Sequence, residues 1–89
     1  MKIKLELFGA SRDFSNKDYL ELEVQEKASM IDLKNVIIKY LNENFNSNES
    51  FIKIVNSSAF CSENNKIISD SYKITKDQKI GIIPPIGGG

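Results

Sequence analysis

The chain has 89 residues, 40% hydrophobic and 27% charged, and its twelve basic and twelve acidic side chains cancel. That suits one small soluble domain hiding about 60–65% of its unfolded surface, with no net charge to draw nucleic acid or an anionic membrane and no apolar run near the roughly 20 residues of a membrane span. There is no His, no Trp and one Cys, so Ser-His-Asp and Cys-His catalysis, histidine- or thiolate-built metal sites and an internal disulfide are excluded within the chain.

Residues 2–8, KIKLELF, place Ile3, Leu5 and Leu7 on one side and Lys2, Lys4 and Glu6 on the other, the period of a half-buried strand. The same alternation of charge and hydrophobe gives the first residues no signal-peptide core. With the lone cysteine, this leads us to expect a cytoplasmic, reducing compartment. Residues 9–18, GASRDFSNKD, carry loop chemistry with Gly9, Asn16 and Asp18, and residues 19–24, YLELEV, repeat the alternation with Leu20, Leu22 and Val24 inward. If the two strands pair antiparallel, Lys2 and Lys4 face Glu21 and Glu23 on the wet side, each pair contributing a few tenths of a kcal/mol to about 1.

Ser29 with Asp32 three places on is a capping-box pattern. Leu33, Val36, Ile37, Tyr40, Leu41 and Phe45 follow at spacings of three and four, which predicts an amphipathic helix over about 30–45. NENFNSNES ends it. The second half reads as strands again: FIKIVN (51–56) with Ile52 and Ile54 on one face, then SAFC (58–61), a turn at 62–65, a short apolar KII (66–68), and a break at 69–71. After Ile74 and a turn at 76–78 comes a last strand with Ile80, Ile82 and Ile83. Gly81 inside that strand predicts a close backbone approach or a bulge. Cys61, without a neighbouring cation, reads as a small buried hydrophobe.

The order strand, strand, helix, strands gives an α+β fold, a mixed sheet with one main helix packed on one face. The isoleucine-rich last strand belongs at its centre, and placed parallel to the first it makes the β-grasp, ubiquitin-like arrangement. Residues 1–83 would be the domain, and 84–89, PPIGGG, a flexible C-terminal tail. Those glycines do not read as a phosphate loop, since no helix follows to present its N-terminus to an anion.

KLELFGASRDF, IVNSSAF and above all ITKDQKIGIIPPIGGG resemble the ubiquitin-like sulfur-carrier family, closest to the small subunit of molybdopterin synthase (molybdopterin converting factor subunit 1). The resemblance covers nearly the whole chain. In that family a hydrophobic strand runs into two prolines, two further residues and a terminal Gly-Gly, here Ile82-Ile83, Pro84-Pro85, Ile86-Gly87 and Gly88-Gly89. The chain departs from the family in having isoleucines rather than aromatics before the prolines, a longer stretch at 62–71, and Gly at position 87.

The resemblance implies a carrier with no catalytic group of its own. An ATP-using adenylyltransferase of the ubiquitin-activating type would turn the Gly89 carboxylate into an acyl adenylate, and sulfide would convert that to a thiocarboxylate. The carrier would bind no cofactor itself. The tail, Pro84, Pro85, Ile86, Gly87, Gly88 and Gly89, would enter the active site of the large catalytic subunit of molybdopterin synthase, where the sulfur builds molybdopterin. Phe8, Arg12, Ala59, Phe60 and Ile83 would dock the partner. The residue types suit this. Gly88 and Gly89 leave the reacting carbonyl uncrowded, and the prolines hold the exit extended. Six residues beyond Ile83 reach at most about 20 Å. Within the class, the same tail would serve a carrier for thiamine thiazole synthesis. Outside it stand a protein modifier joined through Gly89, or a binding module with an inert tail.

Overall fold

The computed structural model describes residues 1–85. Four strands, β1 (Lys2–Leu7), β2 (Tyr19–Glu23), β3 (Ala59–Cys61) and β4 (Gln78–Ile83), form one sheet in the order β2-β1-β4-β3. β2 runs antiparallel to β1, β4 parallel to β1, and β3 antiparallel to β4. The last strand is therefore central and parallel to the first, as the isoleucine content predicted. Ile80 and Ile82 are fully buried, together with Ile3, Leu5 and Leu7 of β1. Among the described residues no helix is long and apolar enough to cross a membrane.

The β1–β2 register is the expected one, with Lys2 opposite Glu23, Lys4 opposite Glu21, and Leu5 opposite Leu20 on the inner side. Lys4 also lies over the Tyr19 ring, its Nζ 4.5 Å from the centroid, and Lys79 of β4 pairs with Glu6 at 3.4 Å. These are half-exposed pairs worth little individually. Their alternation with the apolar positions excludes the one-residue slip that would turn the core outward.

Helix α1 (Met30–Asn44) covers the inner face with Met30, Leu33, Ile37 and Leu41 fully buried. Its start is the predicted capping box: the Ser29 N–H donates to Asp32 Oδ2 at 2.8 Å, and the Asp32 N–H to Ser29 Oγ at 3.4 Å. The Ser29 backbone donor, then its hydroxyl, and to a lesser degree Lys73 hold the Asp32 carboxyl below its ordinary range.

Residues 51–56, expected as a strand, lie instead in a second helix, α2 (Glu49–Ser57). A strand would put Ile52 and Ile54 on one face and Phe51 and Val55 on the other. The helix gathers Phe51, Ile54 and Val55, spaced three and four apart, against the core, leaving Ile52 half-buried at its margin. Asn48 caps it, its side-chain oxygen accepting the Phe51 N–H at 3.2 Å. The Asn-rich stretch that ends α1 thus also starts α2, and short apolar runs carry no clear period of their own. The loop after β1 likewise contains a 3-10 helix (Gly9–Phe14) that drives Phe14 fully into the core. Phe14, Phe51 and Phe45 stack in sequence with ring centroids 5.1 Å apart at each step, and the Tyr40 hydroxyl donates to the Phe14 carbonyl at 2.9 Å. This aromatic chain ties the 3-10 helix and α2 to the end of α1.

β3 has only three residues, so the Lys79 N–H on that side of β4 has no strand partner. The Glu63 carboxylate, folded back from the 62–65 turn, accepts it at 2.9 Å. A side chain here closes an edge that would otherwise be open. Ile74 is fully buried, and its N–H donates to the Ala28 carbonyl at 2.8 Å.

Candidate functional site

One end of the outer sheet face, opposite α1, differs from the rest. Along β4 the outward positions are Lys79, Gly81 and Ile83. Gly81 lies beside Glu6 of β1 and Cys61 of β3. A Cβ added at Gly81 would stand 2.8 Å from the Cys61 sulfur and 3.2 Å from the Phe8 ring. The predicted close approach is real: the missing side chain lets the Phe8 ring lie down over the strand. Phe8 continues the outward alternation of Lys2, Lys4 and Glu6 one step past β1, and it is 46% exposed.

The turn after Phe8 holds it there. The Phe8 N–H donates to Ser11 Oγ at 3.0 Å, and the Ser11 hydroxyl donates back to the Phe8 carbonyl at 2.7 Å. Ser11 is buried and fully satisfied by this exchange. Gly9 takes φ +55, a left-handed conformation that suits glycine, and a Cβ added there would stand 3.9 Å from the Pro84 ring. The chain therefore leaves the sheet beside Phe8 and Gly9. Sequence reading missed the roles of Ser11 and Gly9. The available signal was a Gly followed two places on by Ser, directly after a strand.

The expected docking residues divide. Ile83, 39% exposed, and Ala59, its register partner on β3, both face outward next to Phe8. Arg12 stands exposed on the 3-10 helix and shares with Phe8, Glu6 and Asp18 a shallow depression at this end of the sheet. Phe60 does not join them. It is 2% exposed, faces inward, and has Lys34 Nζ 5.4 Å from its ring. Strand alternation allows only one of Ala59 and Phe60 on the outer face, and the larger residue fills the core. Cys61 is buried at the strip's floor, as expected of a small hydrophobe. Pro84 is half-buried and Pro85 exposed. Ile86, Gly87, Gly88 and Gly89 lie outside the described residues.

No protein-family model matches the sequence, and no curated protein does. Solved structures do. SAMP1 from Haloferax volcanii matches at TM-score 0.71 over 100% of both chains, with 12% identity. A candidate molybdopterin converting factor subunit 1 from Pyrococcus furiosus matches at 0.70 over 96% of this chain and 98% of its own, with 23% identity. A second structure, of H. volcanii small archaeal modifier protein 1, matches at 0.68 over the same shares, with 10% identity. The chain has the ubiquitin-like β-grasp fold. In the β-grasp frame β4 is the strand that ends beside Phe8, so the fold itself decides where the last residues start. Among the described residues, this end of the sheet offers an apolar surface of Phe8, Ala59 and Ile83 bordered by Glu6, Arg12 and Asp18, beside the point where Pro84 leaves β4.

Proposed function

We propose that the chain is a sulfur carrier. An ATP-dependent enzyme of the ubiquitin-activating type joins the Gly89 carboxylate to AMP and releases pyrophosphate. Sulfide then attacks the acyl carbon, AMP leaves, and Gly89 carries a thiocarboxylate. The tail from Pro84 to Gly89 enters the large subunit of molybdopterin synthase, and the sulfur passes into the dithiolene of molybdopterin. The carrier itself supplies no catalytic group and works in the cytoplasm.

One observation carries this. A buried central strand ends at an exposed apolar strip, and two prolines lead from it toward Gly88-Gly89. The strip suits docking, because ordering three glycines costs roughly 1–2 kcal/mol of backbone entropy each, which the tail alone recovers poorly. The fold likeness to a molybdopterin converting factor subunit supports the choice of pathway.

The test is intact-mass spectrometry of the protein after incubation with the activating enzyme, ATP and a sulfur donor. The expected product is heavier by the exchange of one oxygen for one sulfur, and deleting Gly88-Gly89 abolishes both the product and cofactor synthesis. A mass that never changes refutes the proposal. Product analysis separates molybdopterin from thiamine thiazole as the destination. The likeness to two archaeal modifier structures favours a second reading, conjugation to other proteins through the same Gly89. Gly89-dependent species of higher mass in a lysate would reveal it.

A further inference from the structure

Among the described residues four large apolar side chains stand exposed: Phe8, Ile31, Ile67 and Ile83. Phe8 and Ile83 belong to the outer strip, and Ile31 sits on α1, across the sheet from it. Ile67 is the most exposed of the four, at 68%.

Ile67 lies directly opposite Cys61 in an antiparallel bridge. The pair is flanked by the Ile68 N–H donating to the Phe60 carbonyl at 2.9 Å and the Ser62 N–H donating to the Lys66 carbonyl at 2.8 Å. Opposed residues in an antiparallel pair project to the same side. Cys61 shares its side with Gly81, whose missing side chain the Phe8 ring covers. Ile67 therefore carries the apolar strip one strand position beyond β3: Phe8 over Gly81, then Cys61, then Ile67, with Ile83 and Ala59 alongside. Its neighbour Ile68 already packs inward against the core. The backbone thus holds a large exposed hydrophobe that the core does not use.

The occupant follows from the reach of the tail, and here the inference rests on the sulfur-carrier reading. Four residues beyond Pro85 extend at most about 14 Å, so an enzyme acting on Gly89 brings its reaction centre within that distance of the strip. The Ile67 segment is two strand spacings from β4, about 10 Å. A standard protein interface, at about 800 Å² per partner, spans both. We propose that Ile67 is a docking contact for the adenylating enzyme, which meets Phe8, Ile83 and Ile67 with one continuous apolar, uncharged surface.

The experiment is ATP–pyrophosphate exchange by a purified adenylyltransferase of the ubiquitin-activating type, with the full chain, Ile67→Asp, and Ile31→Asp as the exposed control off the strip. Ile67→Asp is expected to raise KM for the carrier about tenfold or more, the size of an interface hot spot, with kcat unchanged. Ile31→Asp keeps both constants. Thermal melts accompany each variant; if Ile67→Asp melts early, Ile67→Ser replaces it. A wild-type KM for the Ile67 variant, or equal losses in both variants, overturns the inference while leaving the Gly89 chemistry standing. No exchange with the wild-type chain overturns the sulfur-carrier reading and the docking contact with it.

Discussion

The two faces of the sheet are built from the same strands to opposite ends. On the inner face every position of β1 and β4 is sealed: Ile3, Leu5, Leu7, Ile80 and Ile82 meet α1 with essentially no exposure. On the outer face the described strand residues are mostly solvent-facing, apart from Gly81 and Cys61, which are buried. One end carries Lys2, Lys4, Lys79 and Glu6, solvated and loosely paired, while the other carries Phe8, Gly81, Cys61 and Ile83. Apolar area removed from water contributes roughly 25 cal/mol per Å², so the inner face holds the fold together. The outer apolar end leaves that energy unused, available to a partner. Stability and recognition are therefore separable by residue, and each can be perturbed alone.

The largest effect is expected on the inner face. Ile80→Ala in central β4 should cost about 2–5 kcal/mol, the transfer loss plus the cavity left behind, read as a lower urea midpoint at unchanged m. A sharper probe is Gly81→Ala, one residue on and on the opposite face. If the outer face were uniformly tolerant it would be neutral. The 2.8 Å approach of its Cβ to the Cys61 sulfur instead predicts a loss of about 1–3 kcal/mol from overpacking. Cys61→Ala should recover part of that loss in a double-mutant cycle.

Next in size is the cap that seats α1 on the inner face. Ser29→Ala should cost about 1 kcal/mol. It should flatten the acid limb of the stability–pH curve only in part, because the variant removes the Ser29 hydroxyl and keeps the backbone N–H that lowers Asp32 most. Asp32 is held below its ordinary value of 3.8 mainly by the Ser29 backbone donor. Its contribution is therefore full above that value and is lost as pH falls through the lower folded value. Thermal melts from pH 6 down to the acid transition would show the difference. The smallest effect belongs to the charged end of the outer face. Lys4→Ser removes the contact with Tyr19 and the positive charge opposite Glu21 in the register, and should cost no more than about 0.2–1 kcal/mol, less at high salt.

Helices α1 and α2 show where sequence legibility stops. α1 has about four turns of repeating pattern behind an N-cap and an acidic N3 residue, and it lies almost where the spacing placed it. α2 has one apolar cluster in nine residues. Over that length Ile52 and Ile54 mimic a strand as well as Phe51, Ile54 and Val55 mark a helix. The decision came from Phe14 and Phe45, which offer Phe51 an aromatic pocket that no local pattern announces. The candidate site divides the same way. Phe8 and Ile83 follow from alternation, whereas Phe60 was misplaced because a three-residue strand has too little pattern to say which residue faces in. Ile67 was invisible, since only its bridge to Cys61 assigns it a face.

By itself the sequence determined the hairpin and its register, the capped helix, the central isoleucine strand and the lack of any histidine, because periodicity, capping chemistry and composition act over neighbouring residues. Tertiary structure alone decided that 51–56 coils rather than extends, that Phe60 turns inward and Ala59 outward, and that Phe8, Gly81, Cys61 and Ile67 line up as one strip. Those choices depend on which distant surface each side chain meets, and burial against a distant partner outweighs the small local preferences a short segment can express.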